Sequence, residues 1–98
     1  METCVERLID YMRKITGTEP ESREAASFFS PVTYNIRVRG SQANRLRAYN
    51  YATDIPIFGG REFKIVEMRG PPAESFEVLM QPKNSFVKVR LIFEGMPN

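Results

Sequence analysis

Apolar residues near the N-terminus recur at steps of three and four, the spacing that lines one face of an α-helix. These positions are Val5, Leu8, Ile9, Met12 and Ile15. Thr3 and Glu6 have the spacing of a capping box, in which each side chain binds the backbone N–H of the other residue. Gly17 suits the left-handed residue that ends a helix. The pattern therefore predicts a helix from Thr3 to Ile15.

A second, shorter helix is predicted from Pro20 to about Phe29. Thr18 and Glu21 repeat the capping-box spacing, and proline is accepted in the first turn of a helix. Ser30-Pro31 ends this segment, because the residue before a proline is pushed toward extended geometry.

Strict alternation of apolar and polar residues begins after this proline. Residues 32 to 39 alternate in the manner of a half-buried strand. Three more extended runs follow Gly59-Gly60, at residues 62–69, 75–81 and 86–94. The turn residues between these runs indicate neighbouring antiparallel strands, and Pro82-Lys83-Asn84-Ser85 is short enough to connect a hairpin.

Two stretches allow more than one interpretation. Residues 41 to 53 place Ala43, Leu46, Tyr49 and Ala52 at helical steps. Tyr49 and Tyr51 would also suit a strand, and we take the stretch as a helix. The alternation slips at Ile65-Val66, which indicates either a β-bulge or a strand covered on both faces.

These elements predict a single α+β domain spanning residues 1–98. An N-terminal helix, or a helical hairpin, would pack on the apolar face of a mainly antiparallel sheet of about four strands. A chain of 98 residues has room for one core of this kind.

Composition argues against catalysis and against a cofactor. The chain has no histidine, which excludes Ser-His and Cys-His nucleophile pairs and the usual histidine-bearing zinc sites. Its carboxylates are scattered or gather where a predicted helix begins. We therefore expect a protein that is not an enzyme, with no catalytic residue, no metal ion and no cofactor.

The expected location is cytoplasmic. Cys4 is the only cysteine, which argues against a secreted, disulfide-stapled scaffold. No apolar run approaches the ~20 residues that cross a bilayer, so we expect no membrane association. Cys4 itself is expected to be a small buried residue with low reactivity.

Charge is distributed unevenly and gives the candidate surface. Residues 1–30 carry six acidic against four basic side chains, and residues 31–98 carry ten basic against six acidic. If the apolar strand phases face the helices, the basic residues of the other phase project together, and Lys64 would join them. The candidate partner-binding residues are Arg37, Arg39, Arg45, Arg47, Tyr49, Tyr51, Lys88 and Arg90.

Three interpretations of this surface stay open. Antiparallel sheets regularly leave one charged face in water, which needs no partner at all. Arginine beside tyrosine also suits an acidic protein surface, or the backbone and bases of RNA or single-stranded DNA. We expect a small protein-interaction module, such as an adaptor, an inhibitor or an assembly factor. Its basic sheet face or an edge strand would bind an acidic protein, and an unpaired edge would also permit a homodimer.

Overall fold

The structure is a computed structural model that describes residues 3–27, 30–54, 63–70 and 75–95. The side chains of residues 3, 4, 25–27, 30, 31 and 54 lie outside this description, and so the expected burial of Cys4 is not addressed. The elements, in chain order, are α1 (Thr3–Thr16), β1 (Glu21–Ser27), β2 (Ser30–Arg39), α2 (Gln42–Asp54), β3 (Phe63–Arg69), β4 (Phe76–Pro82) and β5 (Lys88–Glu94).

The described strands form one sheet in the order β1-β2-β5-β4-β3. β2 and β5 are parallel, and the other three pairs are antiparallel. The α+β class is confirmed, but the expected count of four strands is wrong, because the sheet has five strands and is mixed. Parallel neighbours need a crossover connection. Here α2, β3 and β4 lie between β2 and β5 in the chain and return it to run beside β2 in the same direction.

The fifth strand arises where a second N-terminal helix was expected. Residues 21–27 are extended as β1, which pairs with β2 from Glu21 opposite Arg37 to Ser27 opposite Ser30. The capping-box spacing is misleading here, because the Thr18 hydroxyl instead donates to the carbonyl oxygen of Arg39 at 2.5 Å. A helix of residues 21–27 would have no apolar stripe to bury, whereas pairing with β2 satisfies the backbone groups on one side of β1.

The first helix is confirmed, as is its predicted end. Gly17 has a φ of 74° and donates its N–H to the carbonyl oxygen of Arg13 at 2.8 Å. Residues 42–54 form α2, which confirms the helical interpretation of that stretch. The slip at Ile65-Val66 is a β-bulge, since the register with β4 shifts between Ile65 and Glu67. Val66 is 40% exposed, which rules out a strand covered on both faces at this point.

Both helices contribute to one core on the same face of the sheet. α1 supplies Val5, Leu8 and Met12, and α2 supplies Ala48 and Ala52, all fully buried. The buried strand residues that they meet are Ile36, Val38, Phe63, Phe76, Val78, Met80, Val89, Leu91 and Phe93. The alternation predicted along residues 32–39 and 86–94 is confirmed within β2 and β5, so their polar phase faces away from the helices.

Candidate recognition surface

The side of the sheet turned away from α1 and α2 is called the open face. Strand register arranges its side chains in rows that run across the sheet. One row is Glu21, Arg37, Ile92, Glu77 and Arg69, from β1 to β3. The next row is Arg23, Asn35, Arg90, Leu79 and Glu67. Acidic and basic residues are therefore mixed on this face rather than separated.

Four of the eight candidate residues lie together on the open face. Arg37 and Arg39 come from β2, and Lys88 and Arg90 come from the neighbouring strand β5. Cα partners across this parallel pair include Arg37 with Ile92 and Arg39 with Glu94. The strand phases thus bring these four side chains to one surface, as the alternation indicated.

The three arginines of this group already have carboxylate partners. Arg90 pairs with Glu77 at 2.6 Å, and Arg37 pairs with Glu94 at 3.5 Å. Arg39 lies 3.3 Å from Glu21 and 3.9 Å from Glu94. Partly exposed pairs of this kind contribute only about 0.2–1 kcal/mol each to stability. Their main effect is to neutralise the centre of the open face.

The cations without such partners lie around this centre. Within the described ranges, no carboxylate pairs with Arg23 on β1, Lys88 on β5, or Lys64 and Arg69 on β3. Three of these four residues belong to the two outermost strands, and Lys88 begins β5. The uncompensated positive charge therefore lies at the rim of the open face.

The β4–β5 connection is a hairpin, as predicted, and its side chains hold it in a defined shape. Asn84 takes the left-handed conformation with a φ of 62°, which asparagine tolerates better than most residues. The Gln81 side-chain amide donates to the Ser85 carbonyl oxygen at 2.7 Å, and the Val87 N–H donates to Ser85 Oγ at 3.1 Å. These bonds fix the residues on both sides of Phe86.

Phe86 is the residue that sequence analysis missed. Its side chain is 86% exposed, far more than any other large apolar residue described. It shares its phase in the run 86–94 with Lys88 and Arg90. Sharing the polar phase is the sequence signal that this ring points into water.

A groove of about 790 Å³ opens beside this ring. Its described lining residues are Phe63, Lys64, Gln81, Pro82, Lys83, Asn84, Ser85 and Phe86. Phe63 and Pro82 face each other in the β3–β4 register and are buried. Lys64 and Lys83 are exposed, and these described lining residues include no acid.

The other four candidate residues lie on α2, across the sheet from the open face. The Tyr49 ring packs edge-on against Phe76 and Phe93, with centroid distances of 5.4 and 5.9 Å. The Arg45 guanidinium carbon lies 5.8 Å from the Phe76 ring centroid. Arg47 is exposed. The structure therefore does not join these residues to the strand arginines.

Tyr51, the last of the four, packs on a tyrosine of α1. Its ring centroid lies 5.3 Å from that of Tyr11. Burial, followed by the nearby Tyr11, raises the pKa of Tyr51 above its ordinary value. Both α2 tyrosines thus have a packing role that does not require a partner.

Two further features of the described chain bear on function. In these ranges no three acidic, cysteine or histidine side chains are grouped so that they could hold a metal ion. None of the helices described has the length and apolar character needed to span a bilayer.

Comparison with known proteins adds no relative. No family model matches the chain, and no curated protein or solved structure is significantly similar to it. The residues of the open face and its rim are therefore the basis for assigning a function.

Proposed function

We propose that this protein is a small non-enzymatic binding module that recognises an acidic protein partner through the open face of its sheet. One observation carries the proposal: neither described helix covers this face, and its rim holds cations that have no carboxylate partner among the described residues. These rim cations are Arg23, Lys64, Arg69 and Lys88.

The pairing of the central arginines shifts the proposed contacts toward the rim. A partner carboxylate that approaches Arg90 competes with Glu77, which already lies 2.6 Å away. A carboxylate that approaches Lys88 competes with no carboxylate among the described residues. Two opposite charges 4 Å apart attract by about 1 kcal/mol in water. The attraction rises to about 4 kcal/mol where an interface lowers the effective dielectric constant to near 20. The rim lysines are therefore the better first contacts.

Single-stranded RNA or DNA is the second candidate, and one observation favours it. An exposed aromatic ring close to lysines is a combination that binds single strands, because bases stack on the ring and phosphates meet the cations. Phe86 and Lys64 line the same groove. Against this candidate, Phe86 is the one aromatic ring among the described residues that is largely exposed, whereas a single strand gains affinity from several stacked bases.

Peptide display on the immobilised protein tests the proposal. We expect the selected peptides to be enriched in aspartate and glutamate. The double variant Arg23→Glu/Lys88→Glu should lose most of this binding, with the larger loss at low salt, because exposed charges are screened as ionic strength rises.

A matched control is available on the helical side. Lys14 and Arg47 are exposed residues of α1 and α2, so Lys14→Glu/Arg47→Glu changes the net charge equally without touching the open face. We expect this variant to bind as the wild type does. Equal losses in both variants would reduce the effect to net charge and contradict the proposal.

The proposed setting is the cytoplasm. It is supported by the lone cysteine, since a reducing compartment does not select for disulfides. Recovery of the tagged protein from a disulfide-forming compartment of its source cell would contradict this part of the proposal.

A further inference from the structure

We infer that the groove at the hairpin end of the sheet is the anchor point of this partner, and that it takes an apolar side chain carried by an extended acidic segment. This inference rests on the proposed function and makes its ligand more specific. We call the site the hairpin-end groove and define it by Phe63, Lys64, Pro82, Lys83 and Phe86.

Phe86 is exposed on a hairpin whose backbone is fixed by hydrogen bonds. An aromatic ring that is 86% exposed leaves a large apolar area in water, and its burial by a ligand is favourable. The hydrogen bonds of Ser85 with Gln81 and Val87 fix the backbone on either side of it. A ligand that covers this ring therefore loses little conformational entropy in the hairpin.

The size and chemistry of the groove suit a short peptide. Its volume of about 790 Å³ exceeds that of a single side chain and suits a short stretch of peptide. Phe63 and Pro82 give the groove an apolar, buried part, while Gln81, Asn84 and Ser85 offer polar atoms along its lining. A peptide with one apolar residue among polar residues matches this combination of apolar and polar lining.

Lysines lie around the groove. Lys64 and Lys83 line it, and Lys88 and Gln81 each lie one residue beyond the Met80–Val89 pair, which places Lys88 beside the groove residue Gln81. The described lining has no carboxylate that would repel an acidic ligand. Lys64 and Lys88 have no carboxylate partner among the described residues, so they give the apolar base of the groove a positive rim, whereas the centre of the open face is neutralised.

The same observations favour a peptide over a nucleic acid strand. A strand gains affinity from several stacked bases and several phosphate contacts in succession. In the described residues Phe86 is the one aromatic ring that lines this groove while being largely exposed, so the described lining offers a single ring for base stacking. A peptide with a single apolar residue flanked by carboxylates would instead contact both the one exposed ring and the lysines beside it.

The test compares two pools of short peptides in a fluorescence binding assay. One pool has glutamate at alternate positions and a single leucine, and the other has serine in place of that leucine. We expect the wild type to prefer the leucine pool. Phe86→Ala should weaken binding of the leucine pool on the order of tenfold, as truncation of an anchor residue does. Binding of the serine pool should be nearly unchanged.

Two further variants make the result specific. Met68→Ala also removes an exposed apolar side chain, 61% exposed, but Met68 shares its side of the sheet with the buried Val78, away from the open face. It should bind both pools as the wild type does. Lys64→Ser should weaken the binding of both pools. Unchanged melting temperatures would confirm that each variant folds.

The outcomes separate this inference from the proposed function. If both pools bind equally, or if Phe86→Ala has no effect while Arg23→Glu/Lys88→Glu abolishes binding, the groove is not the anchor but the proposed function stands. If neither pool binds, both fail. If an oligothymidine strand binds more tightly than the leucine pool and depends on Phe86, the site takes nucleic acid and the inference is overturned.

Discussion

Gly70 shows most clearly how a single residue fits its surroundings in this domain. A Cβ atom at this position would lie 2.6 Å from the Tyr49 hydroxyl oxygen and 3.1 Å from its Cζ atom. The tyrosine has little room to move, because its ring packs edge-on against both Phe76 and Phe93. Glycine is therefore required here for close approach rather than for an unusual backbone angle.

We predict that Gly70→Ala lowers the free energy of unfolding by about 1–3 kcal/mol, the usual cost of overpacking a well-filled site. Denaturant unfolding measures this. Gly95→Ala is the control, since the nearest atoms to its added carbon lie 4.0 Å away, and it should change little. Tyr49→Phe in the Gly70→Ala background should restore part of the loss by removing the closest atom. An unchanged stability for Gly70→Ala would contradict the packing described.

Single residues also explain why four of the eight candidate residues do not lie with the others on the open face. From the sequence, Tyr49 and Tyr51 stood close to basic residues and looked available for recognition. The structure gives both rings neighbours, Phe76 and Phe93 for Tyr49 and Tyr11 for Tyr51. Such contacts join residues far apart in the chain, and spacing within one segment carries no information about them.

At the scale of elements, the strands that bury one face were predictable and the edge strand was not. β2 and β5 alternate because one side of each is covered by helices, so the pattern is present in their own sequences. β1 has exposed residues at Ser22, Arg23 and Glu24, and its extended form comes from pairing with β2. The capping-box spacing within the segment therefore predicted a helix, because the pairing with β2 that makes the segment extended is not visible in its own sequence.

The alternation in β5 leads to a prediction that compares adjacent residues. Leu91 is fully buried, so Leu91→Ala should lower the free energy of unfolding by about 2–5 kcal/mol through loss of apolar contacts and creation of a cavity. Arg90 is partly exposed and pairs with Glu77, so Arg90→Ala should cost less than about 1 kcal/mol. Similar losses in the two variants, measured by denaturant unfolding, would show that the two sides of β5 are not distinguished as described.

At the scale of the whole molecule, strand order decides the character of the open face, and strand order is not written in any one segment. Arg37 meets Glu94 because β2 and β5 are neighbours, and Arg90 meets Glu77 because β5 and β4 are neighbours. The sequence indicated which basic side chains share a face. It could not indicate that the central arginines would be neutralised there.

The hairpin-end groove is a property of the same scale. It joins the start of β3 to the β4–β5 turn, and these segments become adjacent only when the sheet assembles. Lys64 and Phe86 are far apart in sequence but line one cavity. The recognition surface that we propose therefore extends from the rim lysines to Phe86 in the hairpin-end groove. It is not centred on the paired arginines of β2 and β5.

A backbone amide NMR titration of the full chain with the tightest-binding acidic peptide tests the central claim most directly. The account predicts saturable shifts at Lys64, Gln81, Phe86 and Lys88, with the signals of α1 and the exposed side of α2 unchanged. Shifts centred on the two helices, or shifts spread evenly over the surface without saturation, would contradict it.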